Sequence, residues 1–576
     1  MGKKVTQKKG YDKELKDFLY QINKMKIFTL NHLYEKFEIT CKKERKKIKD
    51  IINKLVKKEY LLRRHDGVFM PIYKRDKYHH GVIGYENPKK DFYTICSRYS
   101  IDPAFPKKLI EEAEAIAFIP KDEIPKRKDY RNEIVFTIDG ADAKDLDDAV
   151  SLKKVGKDYH LTVHIADVSF YVKSNKKMDK EALERGTSIY LIDRVVPMLP
   201  KVISNGICSL NADEDKLTFS VEMVISSKGD LIKYEFFEGI IHSNRRFTYS
   251  EVEKIINEQK VTIKDDEQYL FILNEMKELA QILRKKRFNE GSIDFDVPEL
   301  KIICDKKSRP IEIIKAERYF SHKIIEEFML SANKAAALFL EKKGLGMYRV
   351  HEEPNEEKLD YFRIIAGTVG HRLKPFQNSQ EIHKFLEKIS GSAESYLLNT
   401  LLLRSMKQAY YHHENIGHFG LGFSHYAHFT SPIRRYPDLV VHRLIKMSLK
   451  NKKCDKVDKT FVIEAARQSS ERERNAVEME RAIIKRKAIH FLKDKMGKTF
   501  KGIVSGVIEA GVFVVLDDYG IEGMIVSTLL KGYEFDATHN EFHYGKNILK
   551  LGIGVNVKLI SLNLKKEMID FNLVES

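Results

Sequence analysis

Apolar and polar residues alternate along this chain in two rhythms, and where the rhythm changes the chain changes domain. Residues 11–75 read as two short helical patterns and then a long basic one from about Thr40 to Lys58. The run Tyr60 to Tyr73 follows, broken by His65-Asp66-Gly67, a strong hairpin turn signal. Helices followed by a hairpin predict a winged helix-turn-helix over residues 1–75. Residues 76–120 form a connector punctuated by Pro88, Pro103, Pro106 and Pro120. From Arg131 the period shortens to that of strands, with EIVFTI, DAVSL and the alternating run HLTVHIADVSFYV. Helical spacing takes over from about His322 to Leu340 and from about Asp360 to Met447. A last helix is expected around Val477, Ile484, Ala488 and Phe491, ending near Gly497. Short β-like segments divided by glycines fill residues 496–576 and predict a small closed barrel of the OB type. The expected fold class is therefore multidomain α+β, with a central mixed α/β domain over residues 121–495 between the winged helix and the barrel.

At 576 residues the chain is too long for one core, and 43% hydrophobic with 32% charged residues excludes a disordered chain. The formal net charge is +18 and it is unevenly spread: residues 1–80 hold 23 Lys/Arg against 10 Asp/Glu. That distribution points to a polyanionic partner. The basic helix carrying Lys42, Lys43, Arg45, Lys46, Lys47 and Lys49 either touches phosphates or is a solvated face of a packing module. Five scattered cysteines without a C-x-x-C pair support neither a zinc site nor a disulfide framework. The start MGKKVTQKKGYDKELK has no apolar signal core, and no apolar run approaches the length of a membrane span, so the expected location is the cytoplasm.

The sharpest chemical feature is TIDGADAKDLDDA, where Asp139, Asp142, Asp145, Asp147 and Asp148 follow directly on an apolar strand. Carboxylates so crowded repel one another unless a cation neutralises them. All-oxygen donors select magnesium or manganese over zinc, and the spacing fails the calcium EF-hand loop. The second feature is HFTSPIRRYPDLVVHR, with Arg434 and Arg435 between two prolines. Adjacent guanidiniums can clamp phosphate oxygens and offset charge that builds on a phosphorane. An acidic metal turn plus arginines in one basic chain points to phosphodiester hydrolysis. There is no Walker loop, no G-x-S-x-G elbow and no H-E-x-x-H pair, and His164 inside a strand reads as packed or solvent-facing rather than catalytic.

The stretches TIDGADAKDLDDAV, HIADVSFYV, RGTSIYL, VVPMLP, VISNGICSLN, GSIDFDVPE, LRSMKQAYYHHENIGHFGL and YAHFTSPIRRYPDLVVHR resemble, in order, the catalytic (RNB) module of the ribonuclease II and ribonuclease R family over roughly Asp91 to Leu492. The resemblance implies a processive 3′-to-5′ hydrolytic exoribonuclease releasing nucleoside 5′-monophosphates from single-stranded RNA at a buried two-metal site, acting as a monomer. Asp139, Asp145, Asp147 and Asp148 match the family's four acidic positions. Arg434 matches the catalytic arginine, Arg435 its basic neighbour, and Tyr190 the tyrosine holding the terminal nucleotides. Tyr249 matches a further RNA-contacting tyrosine, and Glu326 or Glu327 a glutamate near the 3′-terminal bases. The final barrel resembles the family's S1-type RNA-binding domain, in which Phe500 and Phe513 are either stacking faces or core. The chain departs from the pattern in one place: where the family usually carries two cold-shock barrels, the connector HHGVIGYENPKKDFY stands. A catalytically inactive RNA-binding protein of the same fold is the alternative, although all four acidic positions and Arg434 are kept.

Overall fold

The computed structural model describes residues 29–36, 39, 41–57, 61–63, 69–71, 87–260, 267–295, 300–344, 346–392, 394–450, 456–537, 539–564 and 566–574. It divides into two units, Met1–Ala104 with Lys307–Arg309, and Phe105–Lys306 with Pro310–Ser576.

In the first unit α1 (Leu30–Lys36) and α2 (Lys42–Lys57) precede an antiparallel pair, β1 (Leu61–Arg63) and β2 (Phe69–Pro71), in the register Leu61↔Pro71. Helix α2 is amphipathic: Ile52 and Leu55 are buried, while Lys42, Lys46, Lys47, Lys49 and Lys54 are exposed. Arg45, also exposed, is anchored within the unit: its Nε donates to the Ile39 carbonyl at 3.2 Å and its guanidinium lies 5.1 Å from the Tyr34 ring. The helical pattern expected before residue 29 and the turn His65-Asp66-Gly67 lie outside the described residues. A third helix, α3 (Asp91–Arg98), occupies part of the expected connector.

The second unit is built on a seven-stranded sheet. In chain order its strands are β3 (Lys128–Asp129), β4 (Phe136–Asp139), β5 (Asp148–Val155), β6 (Asp158–Ala166), β7 (Asp215–Ile225), β8 (Leu231–His242) and β9 (Arg245–Thr248). Their spatial order is β9-β4-β5-β6-β7-β8-β3, with β9 parallel to β4 and β3 parallel to β8. Strand β6 does not alternate between core and solvent as its sequence suggested. From Leu161 to Ala166 every side chain is buried, because the strand lies mid-sheet and is covered on both faces. The run also ends at Ala166, after which Val168–Tyr171 makes one helical turn whose Phe170 N–H donates to the Asp167 carboxylate at 3.1 Å. Asp167 is itself buried between Arg127 (2.8 Å) and Lys446 (2.6 Å).

Helices α4 (Tyr249–Glu258), α5 (Glu267–Asn289) and α6 (Phe320–Lys342) pack onto this sheet, and the buried Ala332, Ala335, Ala336 and Ala337 let α6 approach it closely. Beyond it α7 (Glu356–Thr368), α8 (Ser379–Ile389) and α9 (Ser395–Ser405) enclose a core of their own around Phe362, Phe385 and Leu402. The helical period expected to run from Asp360 to Met447 is thus interrupted. A strand at Tyr410–His412 pairs with Tyr348–Val350 before α10 (Tyr436–Leu449) begins. The last helix, α11 (Lys456–Leu492), starts some six turns earlier than its apolar positions at Val477 to Phe491 indicated.

The chain ends in a closed barrel of β10 (Thr499–Ile508), β11 (Gly511–Leu516), β12 (Glu522–Val526), β13 (Gly554–Asn563) and β14 (Met568–Val574), ordered β10-β11-β12-β14-β13. A three-stranded sheet from Glu534 to Leu549 is inserted between β12 and β13. Among the described residues no helix is long and apolar enough to cross a membrane. Cys41, Cys96, Cys208 and Cys304 are not joined in disulfides, and Cys454 lies outside the described residues.

Candidate active site

The acidic turn joins β4 to β5, so its two ends are fixed by sheet hydrogen bonds: Asp139 pairs with Thr248 of β9 and Asp148 with Ile165 of β6. Its middle would be a free loop without Arg246, which sequence reading passed over. Arg246 Nη2 donates to the carbonyls of Gly140, Ala141 and Ala143 at 3.0, 3.1 and 2.8 Å, gathering the turn around one guanidinium. Ser209 ties down the far side, accepting from Leu146 N–H and donating to the Lys144 carbonyl.

Arg434 is delivered by a segment far away in sequence. The Ile433 N–H donates to Asp147 Oδ1 at 2.8 Å, and Arg434 Nε stands 3.4 Å from Asp147 Oδ2. The Arg434 carbonyl accepts from Ser188 N–H and Thr187 Oγ1, each at 2.9 Å, and Tyr436 N–H donates to Gly186. Gly186 has φ +68°, and a Cβ there would stand 2.6 Å from Arg472 Cβ, so only glycine lets this segment pass beneath α11. The same segment leads into the short strand Ile189–Leu191 and presents Tyr190, whose hydroxyl donates to Asp145 Oδ2 at 2.6 Å.

The electrostatics are those of carboxylates crowded at the edge of the core, with Asp147 the buried one. Burial pushes the Asp147 carboxyl well above the ordinary range, against the pull of Arg434 and the Ile433 N–H. Burial and the neighbouring Asp139 raise Asp148 to about 7, and burial raises Asp139 as well. Burial raises the Tyr249 phenol too, with the charges of Asp148 and Asp139 adding to it. Tyr249 heads α4 behind a capping box made by Thr248 and Glu251, and its ring stacks on His322 at 3.9 Å.

Asp147 Oδ2 is buried and accepts no hydrogen bond, an open oxygen among other carboxylates. Among the described residues no three carboxylate, imidazole or thiol side chains converge tightly enough to enclose an ion by themselves. The donors that Asp139, Asp145, Asp147 and Asp148 offer are all oxygens, the set that hard divalent cations take.

The RNB domain family matches residues 127–451 of this chain. Ribonuclease R 1 of Lactococcus lactis is 41% identical over 506 residues, covering 84% of this chain and 61% of that protein. Ribonuclease R of Aquifex aeolicus is 40% identical over 509 residues, covering 86% and 72%. The chain belongs to the ribonuclease R family. Its fold is similar to that of Mycoplasma genitalium RNase R in complex with ribose methylated single-stranded RNA, with a TM-score of 0.81 at 26% identity over 88% of this chain and 80% of that one. The chain spans about three fifths of the length of the Lactococcus relative.

The structure gives Arg435 a different task from the expected one and separates the two pairs that the sequence leaves open, Glu326 from Glu327 and Phe500 from Phe513. Arg435 is not a second clamp: its Nη2 and Nε hold the fully buried Asp438 at 2.7 and 2.9 Å, and Asp438 in turn accepts from Ser431 N–H. The pair RR reads as two equal charges, yet the turn into α10 sends one outward and one inward. Glu327 is likewise buried, bound by Arg287 at 2.5 Å, whereas Glu326 one residue earlier is partly exposed and held by Arg318 at 2.8 Å. Phe500 belongs to the barrel core, while Phe513 is half-buried on β11 and lines a cleft. His164 is buried, hydrogen-bonded to Ser220 at 3.0 Å and held neutral by burial, in keeping with a packed residue. Arg246, Ser209 and Thr187 carried no signal of their own, because each acts on backbone groups brought to it by sheet register and chain crossing.

Proposed function

We propose that this chain hydrolyses single-stranded RNA processively from the 3′ end, releasing nucleoside 5′-monophosphates in RNA turnover. The observation that carries the reading is the meeting of Arg434 with the buried Asp147 at the end of the acidic turn, within a chain of ribonuclease R-type sequence. Asp139, Asp145, Asp147 and Asp148 would hold magnesium or manganese, which when bound would activate the attacking water and stabilise the leaving oxygen. The chain's own groups do the rest. Arg434 is half-exposed and loosely held, by Ser431 Oγ at 3.0 Å and Asp147 at 3.4 Å, so it is free to meet charge growing on a phosphoryl oxygen. Tyr190 stands exposed over Asp145 with a ring face for a terminal nucleotide, and Tyr249 flanks the turn from the opposite strand. Glu326, oriented by Arg318 on the helix turn beyond His322, would meet polar groups of a bound strand. The N-terminal unit is read as a winged helix that adds phosphate contacts, and the final barrel as an S1-type RNA-binding domain. The protein is taken to act as a cytoplasmic monomer.

The test is incubation of the purified chain with uniformly labelled single-stranded RNA and matched DNA, with magnesium or with excess chelator. Mononucleotide release from RNA alone, dependent on the cation, is expected. Full activity in chelator, or equal cleavage of DNA, would refute it.

A further inference from the structure

The first turn of α6 holds Tyr249 twice. Ser321, fully buried, donates its hydroxyl to the Tyr249 carbonyl at 2.8 Å and its N–H to Glu253 at 3.0 Å, which pins the start of α4 to the start of α6. The next residue, His322, lays its imidazole on the Tyr249 ring, with centroids 3.9 Å apart and planes 20° from parallel. Tyr319 also lies nearly parallel to that imidazole, at 5.6 Å and 24°. The imidazole is itself fixed, because its Nδ1 accepts the Tyr319 N–H at 3.1 Å. An accepting Nδ1 leaves the proton on Nε2, so the ring is neutral, and burial favours the same uncharged form. Both rings are only partly buried, so burial alone does not set the plane of either. What the stack sets is the plane of Tyr249, which follows directly on Thr248, the register partner of Asp139. Glu326 stands four residues beyond His322 on α6 and therefore on the same helix face.

We infer that His322 is a positioning residue for the reaction: it acts through Tyr249, holding the phenol ring in the plane in which it meets the last nucleotides of an RNA strand beside the acidic turn. The inference rests on the reading of the chain as an RNA-acting enzyme and adds to it a residue that works at one remove from the RNA. A partly exposed tyrosine has two side-chain torsions to settle when a ligand arrives, and a ring already stacked on a fixed neighbour has less freedom to lose on binding. Ser321 alone would hold only the backbone of Tyr249, and His322 supplies the hold on the ring.

Two substitutions separate the ring from its hydrogen bond. His322→Gln keeps an acceptor for the Tyr319 N–H, as glutamine does in capping boxes, and removes the ring, whereas His322→Phe keeps a ring and removes the acceptor. These two, Tyr249→Ala, and Tyr249→Ala combined with His322→Gln are compared with the parent in the full chain. The measurements are anisotropy affinity in excess chelator for an oligouridylate of about five nucleotides, and single-turnover cleavage of the same RNA in saturating magnesium. His322→Gln is expected to lower affinity and rate by about fivefold, the scale of one aromatic pair, and His322→Phe to return both to within about twofold of the parent. In the Tyr249→Ala background His322→Gln should change nothing further, because residues that act through one another are not additive. A residue that serves only the fold would cost the same in both backgrounds, and that result overturns the inference. So does a His322→Gln protein that matches the parent, and so does a His322→Phe protein more impaired than His322→Gln, which would mean that the imidazole N–H itself meets RNA. The two readings fail separately: a parent that binds the short RNA but releases no mononucleotides sinks the exonuclease, while the affinity measurement still decides the role of His322.

Discussion

Asp147 accepts the Ile433 N–H at 2.8 Å through one carboxylate oxygen and leaves the other, 3.4 Å from Arg434 Nε, without a hydrogen bond. One oxygen fixes the meeting of two chain segments that lie far apart in sequence, and the second stays open. Asp147→Asn keeps an oxygen for Ile433 while removing one charge from the turn. Hydrolysis in saturating magnesium is expected to fall by far more than tenfold while gel-shift affinity for RNA is kept or slightly improved. Single-turnover cleavage within about tenfold of the parent, ~1.4 kcal/mol in barrier, would remove the acidic turn from the mechanism.

Arg434 and Arg435 should part company on substitution. Arg434→Ala loses a guanidinium that is 43% exposed and weakly held, so turnover should drop with little change in RNA affinity or stability. Arg435→Ala strands the buried Asp438 carboxylate without its partner, which costs about 3–5 kcal/mol of stability. Urea unfolding and single-turnover rates of the two variants decide the matter. A fully stable Arg435→Ala protein with impaired RNA binding would restore the phosphate-clamp role.

What sequence could show here follows from how local the cause is. The acidic turn was legible because five aspartates behind a strand have few other reasons to sit together, and the barrel because its short strands are punctuated by glycine. Arg434 and Arg435 looked alike because their difference lies in the Asp438 carboxylate one helical turn on, whose orientation only the fold sets. Glu326 and Glu327 looked alike for a similar reason, since a step of one residue turns a side chain by about 100° around a helix. Strand β6 misled by period alone, as a strand covered on both faces has no polar side to reveal it.

Acid should destabilise the fold through histidines that it buries uncharged. Burial lowers His164 to about 3 and His442 to about 4, against an ordinary value near 6.5. Below 6.5 the unfolded chain takes up protons that the folded chain refuses, so stability falls with falling pH until about 3 to 4. Each such histidine contributes up to about 1.4 kcal/mol per pH unit in that window. Urea unfolding of the parent and of His442→Asn between pH 7 and pH 4.5 should show the variant with a shallower slope. Equal slopes would mean that His442 is protonated in the folded protein.

The N-terminal unit should govern how RNA binding responds to salt. Its helix α2 presents Lys42, Lys46, Lys47, Lys49 and Lys54 to solvent while Ile52 and Leu55 face inward. Residues 1–80 hold 23 Lys/Arg against 10 Asp/Glu, so they account for most of the chain's +18. Each phosphate that a lysine neutralises on a single strand releases bound counterions and adds about 0.7 to the slope of log affinity against log salt. Replacing the five exposed lysines by glutamine keeps the helix-forming character of the positions and removes only charge. If all five meet phosphates, the slope should flatten by about 3.5, and removal of residues 1–75 should flatten it at least as much. Filter-binding isotherms for a long single-stranded RNA over a series of potassium chloride concentrations measure this directly. Cleavage of an RNA too short to reach beyond the acidic turn should keep the parent's rate in the glutamine variant, because those lysines lie in a separate unit from Asp147 and Arg434. An unchanged salt slope would show that α2 turns its lysines to solvent or to another protein, and that the polyanion is held by the RNB domain and barrel alone.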